Sequence, residues 1–137
     1  MIIGGNVAMY YIFVSHSWKY NNEYEKLCRL LNNSGLEWQD YSIPQDDPIH
    51  TNGTDKELKE AIDKKIKCCS CVIIMAGVYS TYSKWIQKEI CIAQHYGKKI
   101  IAVEGFGSER TSQVVKDNAD KVVKWQTQSI IDAIIAE

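Results

Sequence analysis

The chain contains no apolar run of membrane-spanning length. Its opening residues, Met1–Met9, hold two isoleucines and two glycines but no positive charge, which is not the pattern of a secretory signal. A cytoplasmic location is the expectation. Charge of one sign is also missing: 16 Lys and Arg stand against 17 Asp and Glu, and the lysines are spread along the chain, not gathered into a patch. That gives no electrostatic reason to expect nucleic acid or a membrane as partner. There are only 2 prolines, Pro44 and Pro48, and both fall in one loop. With no internal repeat, low-complexity segment or linker, residues 1–137 read as a single domain, long enough to bury a core without disulfides or metal. The 5 cysteines are an odd number and suit a reducing compartment. Cys68-Cys69-Ser70-Cys71 has no histidine nearby in sequence and no second ligand pair, so it reads as packed thiols and no metal is expected.

What the chain does have is alternation. Met9–Val14 is a continuous apolar, aromatic and β-branched run, as in a strand buried on both faces of a parallel sheet. Tyr24, Leu27, Cys28, Leu30 and Leu31 recur at helical spacing, and Asn33-Ser34-Gly35 supplies the stop. A second strand is predicted over Leu36–Tyr41, followed by a long loop, Ser42–Gly53, of the kind that is usually functional or disordered. Thr54 with Glu57 forms a capping box opening a second helix. Cys71–Ala76 reads as the central strand, Tyr79–Tyr96 as a helix, and Lys99–Val103 as a fourth strand. Glu104–Ser108 reads as a turn; its Gly105 and Gly107 lack the third glycine of a dinucleotide fingerprint. A short helix over Ser112–Ala119, a strand over Lys121–Trp125 and a closing helix over Ser129–Ala136 complete the pattern. Five strands alternating with helices predict an α/β fold: a flavodoxin-like, open five-stranded parallel sheet with helices on both faces. Ligands of such sheets sit beyond the carboxyl ends of the strands, where strand order reverses.

One residue breaks the hydrophobic pattern. On a 3.6-residue period Trp85, Glu89, Ile92 and Tyr96 share a stripe, so an acid stands where an apolar residue is expected. Such a carboxylate either meets a hydrogen-bonding partner at a cleft wall or snorkels to water, paired with Lys84 or Lys88. From the helix alone the second reading is the stronger.

Taken together, Ile12-Phe-Val-Ser-His-Ser17 after an apolar strand, the proline-containing loop before the second helix, and Trp85-Ile-Gln-Lys-Glu89 resemble a TIR domain. They are most similar to the TIR-like family typified by the ThsB proteins of bacterial Thoeris anti-phage defence. The resemblance spans roughly Met9 to Ile135. It implies cleavage of NAD between nicotinamide and ribose to make an ADP-ribose-derived signalling nucleotide, with NAD as substrate and no cofactor. It maps the catalytic glutamate onto Glu89 and the accompanying tryptophan onto Trp85. The same resemblance implies homo-oligomers through contacts between TIR domains and a separate effector protein responding to the product.

Chemistry gives the acid a role of its own: a carboxylate beside a ribose stabilises the oxocarbenium character that develops as the glycosidic bond breaks. Around Glu89, the expected substrate contacts are Ser15, His16, Trp85, Asp46, Tyr79 and Tyr82. All but Ser15 have a plainer reading: His16 as a turn cap, Trp85 as core, Asp46 as a solvated loop residue, and the two tyrosines as local packing. Two rival functions stay open, a non-catalytic TIR assembly module and an enzyme resembling nucleoside deoxyribosyltransferases, which also place a glutamate at a ribose.

Overall fold

In the computed structural model, the described residues are 9–15, 21–42, 54–76, 85–104 and 113–136. In chain order they form β1 (Tyr10–Ser15), α1 (Asn21–Asn33), β2 (Trp38–Asp40), α2 (Asp55–Cys68) and β3 (Cys71–Ala76). These are followed by α3 (Ile86–His95), β4 (Lys99–Glu104), α4 (Gln113–Asn118), β5 (Lys121–Val123) and α5 (Thr127–Ile135). All strand pairs are parallel and the sheet order is β2-β1-β3-β4-β5. The expected architecture is therefore what the chain adopts. The two outermost strands are shorter than the sequence pattern suggests, each three residues long. No helix among the described residues is long and apolar enough to cross a membrane.

Strand alternation sorts the core into two layers. Phe13, Val72, Ile74, Ile100 and Ala102 face one side, where α2, α3 and α4 cover them with Ile62, Ile66, Ile86, Ile90 and Val115. Ile12, Val14, Cys71, Ile73, Ile101 and Val103 face the other, covered by Leu27 and Leu31 of α1 and Ile130 and Ile134 of α5. Both layers are needed because parallel strands are linked by helical crossovers that leave no face open. Cys69 and Cys71 are packed into these layers, whereas Cys68 is exposed. Burial pushes the two packed thiols up, Cys69 to about 11 and Cys71 to about 12.

Local signals set the ends of the elements. At the head of α2 the Thr54 hydroxyl accepts the Glu57 N–H at 3.1 Å, and the Glu57 carboxylate accepts the Thr54 N–H at 3.3 Å. Thr54→Ala removes the hydroxyl half of that exchange and leaves the backbone N–H half in place. It is expected to destabilise the protein by about 1 kcal/mol, read as a lower denaturant midpoint with an unchanged slope. Gly97, at φ +65°, turns the chain out of α3 into β4. At the amino end of β4 the Lys99 ammonium donates to the Ile134 carbonyl at 3.0 Å and also to the Ala136 carbonyl, tying the end of α5 to the sheet.

Candidate active site

Strand order places the reversal point between β1 and β3: from β1 the chain goes to β2 on one side, then returns to build β3, β4 and β5 on the other. The carboxyl ends of β1 and β3 therefore flank the crevice where sheets of this order bind ligands. Ser15 is the last residue of β1, in register with Ile74 of β3. Glu89 lies in the first turn of α3, the next described helix after β3, and its N–H donates to the Trp85 carbonyl at 2.9 Å. Crevice geometry thus brings together residues from separate parts of the chain.

Among the described residues only Ser15, Ser42 and Glu89 are buried polar or charged groups, at 2%, 7% and 5% exposure. All three lie at this one edge. The Ser15 hydroxyl donates to the Glu89 carboxylate, and the second oxygen, Oε2, is buried with no hydrogen-bonding partner among the described residues. Burial pushes the Glu89 carboxyl up from 4.5 to about 7, and the Ser15 hydrogen bond acts in the opposite direction. An acid that snorkels to water is therefore not what α3 presents. Lys88 is engaged elsewhere, its ammonium 4.2 Å from the centre of the Trp85 ring. Trp85 itself is half-buried and packs against the α2–α3 layer.

A half-satisfied buried carboxylate is costly to the fold and chemically useful. Titrating near neutrality, Glu89 is a carboxylate in weakly basic solution, and its bare oxygen is available to a developing cation or to a sugar hydroxyl. His16, Asp46, Tyr79 and Tyr82 lie outside the described residues. No group of three or more His, Cys, Asp or Glu among the described residues is placed to hold a metal ion. An open groove of about 470 Å³ lies between α2 and α3, lined by Lys59, Asp63, Lys88, Cys91 and His95 among others, and does not include Glu89.

Sequence reasoning missed the role of Ser42 and Asp40. The Ser42 N–H donates to Asp40 Oδ1 at 2.8 Å, and its hydroxyl accepts the Val14 N–H at 2.9 Å. The first bond is an Asx-turn, and Asp-x-Ser at the end of a strand is the signal from which it could have been read. The second bond joins residues far apart in the chain and leaves no local mark.

Three solved structures share this fold at low identity. Clostridium botulinum CMP N-glycosidase, BcmB, is 17% identical over 89% of this chain and 96% of its own, with a TM-score of 0.55. A prokaryotic SEFIR domain is 16% identical over 93% and 99%, with a TM-score of 0.54. A 3-dehydroquinate dehydratase-like protein from Bifidobacterium longum is 11% identical over 95% and 94%, with a TM-score of 0.51. At such identities the likeness is one of fold. No curated protein matches the sequence significantly. Residues 13–111 match the family model described as "Thoeris protein ThsB, TIR-like domain".

Proposed function

The chain belongs to the family of TIR-like domains of Thoeris protein ThsB, and from that premise we propose that it cleaves the nicotinamide–ribose bond of NAD to make an ADP-ribose-derived signalling nucleotide. One observation carries the reading: Glu89 is buried at the sheet's reversal point with Oε2 unpartnered among the described residues. As the bond breaks, its electron pair leaves with nicotinamide, which departs neutral and needs no general acid. Positive charge passes to the ribose, where the Glu89 carboxylate stabilises it electrostatically or captures it transiently. Water or a nucleophile within the ADP-ribose then completes the substitution.

Ser15 orients the carboxylate, Trp85 shapes the wall beside it, and His16, Asp46, Tyr79 and Tyr82 are the proposed contacts to the rest of NAD. Homo-oligomers through contacts between TIR domains, and a separate receptor for the product, belong to the same proposal. A second reading follows from the likeness to a CMP N-glycosidase: the same carboxylate beside the ribose of a smaller nucleotide or deoxynucleoside. Incubating the purified protein with NAD, CMP or deoxynucleosides, with mass spectrometry of the products, separates the two. Nicotinamide release from NAD alone supports the first. Silence on every substrate leaves the assembly module as the better reading.

The ionisation of Glu89 also sets a pH dependence. The reacting form is the carboxylate, so kcat/KM for NAD is expected to rise with pH through a midpoint near 7 and to level off above it. The cationic nicotinamide of bound substrate favours the charged carboxylate, so the midpoint in kcat falls below that in kcat/KM. Identical, pH-independent profiles between pH 5 and 9 count against Glu89 as the ionising group.

A further inference from the structure

Four elements are linked by a line of hydrogen bonds, carried one residue along β1 from Val14 to Ser15, that ends at Glu89. Tyr24 of α1 donates its hydroxyl to Asp40 Oδ2 at the end of β2. Burial and the Asp40 carboxylate raise the Tyr24 phenol far above its ordinary value, so it stays a donor at every pH of interest. Asp40 Oδ1 accepts the Ser42 N–H, and the buried Ser42 hydroxyl accepts the Val14 N–H. The next residue is Ser15, whose hydroxyl donates to Glu89.

The Val14 bond stands out within the sheet. Between β1 and β2 the last backbone rung is the Tyr41 N–H to the Ile12 carbonyl, at 2.8 Å. Beyond it a side chain, not a strand, satisfies the Val14 N–H. Without that hydroxyl a buried N–H beside Ser15 loses its partner, and the β2-side restraint on the end of β1 is lost.

We propose that Ser42 is a positioning residue for the Glu89 site, fixing the carboxyl end of β1 so that the Ser15 hydroxyl meets one carboxylate oxygen and leaves the other bare. The inference rests on Glu89 being the reacting group of the preceding section and adds a residue that never touches substrate. Two charges on the neighbouring elements are occupied elsewhere: Lys88 lies over the Trp85 ring, and Asp63 of α2 accepts the Tyr96 hydroxyl at 2.6 Å. Burial and Ser15 are what act on the Glu89 proton.

Two readouts test this, one of them independent of NAD. Carboxyl ¹³C NMR of the full chain, with the Glu89 signal assigned from its loss in Glu89→Gln, follows the Glu89 titration directly. Ser42→Ala is expected to move that midpoint upward, because the opposing Ser15 bond weakens. It should also lower kcat for NAD cleavage about 10- to 100-fold, with KM within about twofold, the signature of a misplaced catalytic group. Ser42→Thr, which keeps the hydroxyl, is expected to restore most of both. A Ser42→Ala protein with an unmoved midpoint overturns the proposal, as does a Thr variant as impaired as the Ala variant. Should Ser42→Ala not fold, Asp40→Ala at the half-buried sheet edge is read by the same criteria. If the wild type leaves NAD intact, the function proposed above fails, while the NMR titration still decides the role of Ser42.

Discussion

Glu89→Gln is expected to slow nicotinamide release from NAD by at least about a thousandfold, with a KM change of only a few-fold. A factor of that size corresponds to about 4 kcal/mol of transition-state stabilisation, in the range found for removing one preorganised electrostatic group from a dry site. The site has the features that make such a loss large. Glu89 is buried, so little water screens its charge, and one oxygen is held by Ser15 while the other has no competing donor among the described residues. Glutamine keeps the shape and the acceptor for Ser15, so binding changes little and the charge alone is lost. Single-turnover measurement of nicotinamide formation separates chemistry from product release. A variant that turns over within tenfold of the wild type removes Glu89 from the reaction.

The same substitution is expected to make the protein more stable at pH 8 than at pH 5, relative to the wild type, by about 3 kcal/mol. For a carboxyl whose folded value lies above its unfolded one, the favourable contribution is complete below the unfolded value and disappears as pH rises through the folded one. Here those values are 4.5 and about 7. At about 1.4 kcal/mol per pH unit, the part of that window above pH 5 gives the figure above. Glutamine does not ionise, so the variant escapes this loss while sharing every other titration with the wild type. Melting curves at both pH values check it: the gap between the proteins should widen by roughly 10 °C from pH 5 to pH 8. A constant gap means that Glu89 titrates normally in the folded chain. Together the two outcomes describe an acid kept for chemistry at the expense of stability.

Much of the fold was legible because the strands announce themselves. β3 and the interior of β4 are unbroken apolar runs, and the capping box at Thr54 and Glu57 marks the start of α2 within a residue. The edge strands were overestimated for a physical reason. Apolar side chains at Leu36 and Tyr41 still pack against the core, but the ladder to β1 holds only from Trp38 to Asp40. At the site, helical periodicity located Glu89 on the apolar stripe and could not say which way its charge is resolved. That depends on Ser15, which arrives from another strand, and on Trp85 drawing Lys88 away from it. The bonds from Tyr24 to Asp40 and from Val14 to Ser42 were invisible for the same reason: α1, β2 and β1 meet only once the sheet has formed.

The anchor made by Lys99 has a practical use. It holds Ala136 beside the first residue of β4, whereas Ser15 and Glu89 belong to the opposite rim, a strand length of roughly 17 Å away. A dye, bead or sensor surface coupled just after Ala136 would thus leave the Glu89 rim pointing outward. Immobilised copies could then be presented with nucleotides in a uniform orientation.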